Sequence, residues 1–82
     1  MKFAVITLIN SKYEPAFATP VLIQYYLGPT VGEPFIFYID SERGNTSTVK
    51  TIMYDIERPL MRIVTRNSEY QIQNVYTVLD LV

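Results

Sequence analysis

Nine side chains in the second half of the chain could do chemistry together: Thr46, Ser47, Thr48, Lys50, Arg62, Arg66, Asn67, Ser68 and Tyr70. Hydroxyls, backbone amides and the planar fork of arginine are the groups that grip phosphate oxygens. A tyrosine ring offers a face for a nucleobase, worth about 1–3 kcal/mol per stacked base, and Asn or Gln can read a base edge. Tyr54 and Tyr38 are further stacking candidates. Such a set holds a ligand without transforming it. The 82 residues include no His and no Cys, so the usual near-neutral general base and the strongest side-chain nucleophile are missing. No enzyme, metal site or cofactor is expected. Asp40, Glu42 and Asp55 lack the Asp-x-Asp spacing and Gly-rich loop of a divalent-ion site. Gly28-Pro29-Thr30-Val31-Gly32 lacks the Lys-Ser/Thr ending of a phosphate loop and reads as a turn. Each candidate also has an ordinary role, since Thr and Ser suit strands, and Asn67-Ser68 suits a turn. An exposed Arg66–Glu69 cross-strand pair would contribute under about 1 kcal/mol.

The elements that must position these residues are strands. Runs rich in β-branched and aromatic residues alternate with Gly, Pro, Asn and Ser clusters, which predicts six strands near Lys2–Ile9, Val21–Leu27, Phe35–Asp40, Ser47–Ile56, Leu60–Arg66 and Glu69–Leu79. Asn10–Pro20, with room for a helical turn at Ala16–Ala18, Gly28–Pro34 and Ser41–Asn45 read as loops, with Gly44-Asn45 suited to left-handed backbone angles. A two-residue turn at Asn67-Ser68 would set Arg66 opposite Glu69, Thr65 opposite Tyr70 and Ile63 opposite Ile72. Met61, Ile63, Thr65, Tyr70 and Ile72 then share a core face. Arg62, Val64, Arg66, Glu69, Gln71 and Gln73 share a wet or ligand-facing one. The fold class expected is all-β: a small antiparallel meander or partly open five- to six-stranded barrel with little helix. The long first loop lets the first strand pair with either its successor or the last strand.

Composition bounds the rest: 49% apolar, 18% charged, and seven Lys+Arg against eight Asp+Glu for a net charge of −1. These describe a single β domain over residues 1–82, hiding only about 60–65% of the surface its unfolded chain exposes. Near-neutral charge argues against nucleic acid as a partner. Residues Met1–Ile9 read as a strand, not a signal peptide, and no apolar run approaches the roughly 20 residues that cross a bilayer, so a cytoplasmic protein without a membrane partner is expected. Phe3–Ile9, Val21–Leu27 and Phe35–Ile39 are apolar on both alternating faces. Two-sided burial predicts a homo-oligomer, most simply a dimer; the alternative is a closed barrel that shows some Tyr and Val to solvent.

Thr46, Ser47, Val49 and Ile52, followed by Ile63, Thr65, Arg66, Asn67, Ser68 and Tyr70, resemble a loose family of small bacteriophage and prophage proteins. In these a Thr-Ser-x-Val-x-x-Ile strand precedes a Val-x-Thr-x-Asn-Ser-x-Tyr hairpin. Ile63 stands here where that pattern has Val, and the resemblance covers the C-terminal 40 or so residues. It implies a phage-type counter-defence protein in the host cytoplasm. The leading expectation is a sponge that binds a cyclic or ADP-ribose-derived nucleotide messenger at the nine residues without cleaving it. The alternative is an anti-CRISPR-like inhibitor that grips a host defence protein.

Overall fold

Six strands form where β-branched and aromatic residues cluster, in a computed structural model that describes residues 1–55 and 57–75. They are β1 (Lys2–Ser11), β2 (Val21–Tyr25), β3 (Pro34–Ile39), β4 (Glu42–Asp55), β5 (Leu60–Thr65) and β6 (Ser68–Val75). Each pairs antiparallel with its successor, and β1 pairs with both β2 and β6, so the meander closes into a barrel. No helix occurs among the described residues, and none is long and apolar enough to cross a membrane. The expected continuation of the fourth strand to Ile56 and of the sixth to Leu79 lies outside the described residues.

Two long strands close the barrel. The first part of β4 pairs with β3 and the second with β5, and its register shifts between Val49 and Thr51. Likewise β1 shifts register between Leu8 and Asn10 along β6. A bulge bends and twists a strand locally, which lets one strand serve two neighbours at different angles.

The β3–β4 connection is tighter than the expected Ser41–Asn45 loop. Ile39 pairs with Glu42, and the turn is Asp40-Ser41, with φ of 47° and 71°. Positive φ at both central residues is the hairpin turn whose twist matches the flanking strands. Gly44 therefore lies inside β4 opposite Phe37, and its role is steric: an added Cβ would sit 2.9 Å from Phe37 Cε2 and 3.1 Å from its Cζ. Phe37 is fully buried and has little freedom to retreat. Gly44→Ala should cost about 1–3 kcal/mol, the usual range for forcing an extra carbon into a packed core. Thermal melting followed by circular dichroism reads this; an unchanged midpoint would mean that the ring moves freely.

The last hairpin keeps the expected faces but not the expected register. Val64 lies opposite Glu69, Ile63 opposite Tyr70 and Met61 opposite Ile72, so the turn is Arg66-Asn67 instead of Asn67-Ser68. Moving the turn by one residue moves the pairing by two, which leaves every side chain on its original face. The Thr65 side chain accounts for the choice: its Oγ1 accepts from Ser68 N at 3.0 Å and donates to Ser68 O at 3.1 Å, closing the turn from the side.

Inside the barrel pack Ala4, Ile6, Ile23, Tyr25, Phe35, Phe37, Val49, Met61, Ile63, Tyr70 and Ile72. The segment between β1 and β2 covers one end, with Phe17 edge-on to Phe37 (ring centroids 5.2 Å apart) and parallel to Tyr70 (6.2 Å). That segment is pinned where Thr19 Oγ1 accepts from Leu8 N at 3.0 Å. The twin-sided apolar strands resolve into an inner and an outer set. Ile23, Tyr25, Phe35 and Phe37 turn inward, while Leu22, Tyr26 and Ile36 stay exposed on the outside.

Candidate functional site

The nine predicted residues divide between several surfaces. Thr46, Ser47, Asn67, Ser68 and Tyr70 border one shallow depression of about 150 Å³, roofed by the segment that follows β1 with Tyr13, Glu14 and Phe17. Thr48, Lys50, Arg62 and Arg66 do not. Lys50 and Arg66 are exposed, and Thr48 contributes its carbonyl to Arg66 N at 2.9 Å. Arg62 lines a separate hollow of about 230 Å³ with Met53, Tyr54 and Gln71. Its guanidinium lies 3.7 Å from Glu69, which stands opposite Val64 and not opposite Arg66 as expected.

Hydrogen bonds explain why the hydroxyls gather. Thr46 Oγ1 accepts from Phe35 N at 3.0 Å and donates to Ser47 O at 2.7 Å. Ser47 Oγ donates to Thr65 Oγ1 at 2.7 Å and accepts from Asn67 N at 3.0 Å. The Ser68 and Ser11 hydroxyls bond each other at 2.8 Å, and Asn67 O accepts from Lys12 N at 2.8 Å. This network ties β1, β4, β5 and β6 together at one end of the barrel. Among the described residues no buried side-chain nitrogen or oxygen lacks a partner. Tyr70 is buried, and one ring face is already given to Phe17. The depression is lined by one charged side chain, Glu14, whose sign repels phosphate. Its volume also falls short of the roughly 300–1,000 Å³ that small-molecule sites occupy.

Groups with shifted acidity belong to the framework. Asp55 Oδ1 accepts from Glu57 N at 2.9 Å and its Oδ2 lies 3.1 Å from Arg58 Nε. The Glu57 amide first, and Arg58 after it, hold the carboxyl below its ordinary value. At the barrel end that carries Asn74, the Tyr25 hydroxyl donates to Asn74 Oδ1 at 2.6 Å, and burial raises its pKa above 10. Because the folded chain holds this proton more tightly than the unfolded one, the stability it confers is complete below pH 10 and is lost as pH rises through the elevated value. Chemical denaturation as a function of pH should show a steeper alkaline loss in the wild type than in Tyr25→Phe; equal slopes would mean that this phenol does not titrate on unfolding. Among the described residues no three His, Cys, Asp or Glu come together as a metal site.

A second set of residues, of which only Tyr38 was among the sequence candidates, lies on the outer surface of β2, β3 and their connection. Tyr26, Leu27, Ile36 and Tyr38 surround a groove of about 220 Å³, with Glu33 and Pro34 at its margin. Tyr26 is 64% exposed and Leu27 83%. Tyr25-Tyr26 held a signal, because adjacent strand tyrosines must face opposite ways, so one of the two was bound to point at solvent. What the molecule presents is thus a small closed antiparallel barrel with a bonded polar depression and an open aromatic groove. Compared with known protein families, curated proteins and solved structures, the chain matches none.

Proposed function

We propose that this protein works by contact and not by catalysis, as a small binding module that docks a partner protein on the outer surface of β2 and β3. The observation that carries this is the gathering of exposed Tyr26, Leu27 and Ile36 around one groove of a barrel already closed and filled. Burying exposed apolar surface yields about 25 cal/mol per Å², and tyrosines anchor interfaces out of proportion to their number. The resemblance to small phage proteins suggests a host defence protein as the partner, the second of the two expectations above.

A nucleotide sponge remains the second reading, favoured by the convergence of five of the nine predicted residues on one depression. The spent hydroxyls, the absence of any cation from that lining and its small volume weigh against it. A homo-oligomer that adds cations from another copy would answer that objection.

Two measurements on purified protein separate the readings. A contact module should form a complex with a defence protein that survives gel filtration and is lost in Leu27→Asp, with the melting midpoint within about 2 °C of wild type. Cyclic and ADP-ribose-derived nucleotides should leave that midpoint unmoved. A ligand at a hundredfold its Kd adds about 2.7 kcal/mol, which lifts the midpoint of a domain this size by about 10 °C or more. Such a rise, abolished by Asn67→Ala, would select the sponge.

A further inference from the structure

Among the described residues β2 and β3 pair at Gln24–Tyr38 alone, whereas β2 pairs with β1 from Val21 to Tyr25. The next positions to face each other on that register are Tyr26 with Ile36 and Gly28 with Pro34. No pairing forms between them, and all four residues line the aromatic groove. The groove is thus the gap where the ladder between the two strands stops.

Which backbone groups look into the gap follows from β4 on the other side. Glu33 O accepts from Val49 N at 2.9 Å and Phe35 N donates to Thr46 Oγ1 at 3.0 Å, so residues 33 and 35 turn their polar groups toward β4. Successive residues of a strand point these groups to opposite edges. Ile36 N–H, Ile36 C=O and Pro34 C=O therefore face the groove, as a short open edge in a barrel otherwise closed. An edge of this kind takes an added strand, whose main chain supplies the missing partners.

The same groups select among occupants. The two carbonyls need N–H donors, and proline has none, so a proline-rich segment leaves them unmet. A helix spends its backbone bonds internally. A second copy offering this edge would set Pro34 against Tyr38, whose backbone already faces Gln24, or against Ile36, to which proline donates nothing. An unrelated strand has neither defect. Laid antiparallel, its residue opposite Ile36 stands beside the Tyr26 and Ile36 side chains on the outer surface. The residues on either side of that one turn inward to Tyr25 and Phe35, which are buried against each other with ring centroids 5.4 Å apart, so those positions suit small side chains.

Resting on the docking face assigned above, we infer that the occupant is an extended strand of the partner, added antiparallel to β3 at Ile36, with large apolar side chains at alternate positions and small ones between them. Its main chain supplies the bonds and its outward side chains meet the groove.

The test follows backbone amides of the full isotope-labelled chain. In the free protein the Ile36 amide should exchange with solvent at least about tenfold faster than the Phe37 amide, which faces Gly44. Three synthetic peptides of equal length are then titrated: alternating Val-Ala with a Lys at each end, the same peptide with its valine nitrogens methylated, and an oligoproline with the same ends. The Val-Ala peptide should move the Ile36 amide proton downfield, as a new hydrogen bond does. Methylation, which removes the donors and keeps the side chains, should weaken binding about tenfold or more, and oligoproline should leave the Ile36 amide unmoved. An Ile36 amide already protected in the free chain overturns the inference. So do no response at millimolar Val-Ala peptide, equal affinity for the methylated peptide or oligoproline, or the Ile36 amide shifting on dilution of the protein alone, which would mark a second copy as the occupant. If the Val-Ala peptide fails while Leu27→Asp still abolishes the protein complex, the docking face stands and only the added strand is wrong. If Leu27→Asp leaves the complex intact as well, both fall.

Discussion

Phe37→Ala should be the most destabilising single change in the chain. Phe37 has no exposed surface, lies 5.6 Å from the Phe35 ring and 5.2 Å from the Phe17 ring, and presses on Gly44 of the neighbouring strand. Removing the ring strips contacts from three elements at once: β3, β4 and the covering segment. Buried Phe→Ala changes cost about 3–5 kcal/mol. An 82-residue domain has roughly 4–12 kcal/mol in total at about 0.05–0.15 kcal/mol per residue. The loss therefore consumes between a quarter and all of the stability and lowers the melting midpoint by more than about 12 °C. Phe37→Leu, which keeps most of the volume, should cost under about half as much. Urea unfolding of the two variants checks the order, and a midpoint shift below about 3 °C for Phe37→Ala would show that the site collapses around the gap.

Thr65→Val should be the next most damaging single change, although it preserves shape. Thr65 is 4% exposed, and its Oγ1 serves Ser47 Oγ, Ser68 N and Ser68 O. Valine leaves all three without that partner in a place closed by β1 and β4. An unmet buried polar group costs about 1–3 kcal/mol, more than the net gain from the bond itself. The expected loss is about 2–3 kcal/mol, accompanied by faster hydrogen exchange at the Asn67 and Ser68 amides. Thr65→Ser keeps the oxygen and should lose only the methyl contribution, about 1 kcal/mol. If valine and serine cost the same, the methyl and not the network holds the turn.

Both changes fall on residues whose importance was only partly legible beforehand. Thr65 was assigned to the core face correctly, because alternation in a strand has a period of two and the turn slips by one residue without disturbing it. Its bonding was not legible, since a hydroxyl's partner depends on which strand end arrives beside it. Gly44 was read as a turn residue on its conformational freedom. The turn falls instead on Asp40-Ser41, and Gly44 is needed for the space it leaves to a ring seven positions earlier. Sequence order does not reveal that opposition until the hairpin register is known.

The candidate site shows the same division. Thr46, Ser47, Asn67, Ser68 and Tyr70 were grouped by chemical type and do meet in space, but the hydroxyls are bonded within the framework and Tyr70 packs on Phe17. Arg66 was included for its planar fork, and Arg62 and Lys50 as neighbours across adjacent strands; none of the three borders the depression. The groove was not assembled beforehand, although Tyr38 was named as a stacking ring and both strands were read as apolar on two faces, because its members are scattered from residue 26 to residue 38 and exposure cannot be read from hydrophobicity alone.

By itself the amino-acid sequence determined the strand class, the approximate strand positions, the inward set of the last hairpin and a residue inventory poor in catalytic groups. These follow from local terms: side-chain preference, alternation, and the presence or absence of particular functional groups. Only the tertiary structure decided that the meander closes, which apolar residues of β2 and β3 lie on the outside of the barrel, and which hydroxyls are occupied. Those outcomes depend on contacts between distant segments, chiefly β1 with β6, whose energies are set by the three-dimensional arrangement and leave no periodic trace along the chain.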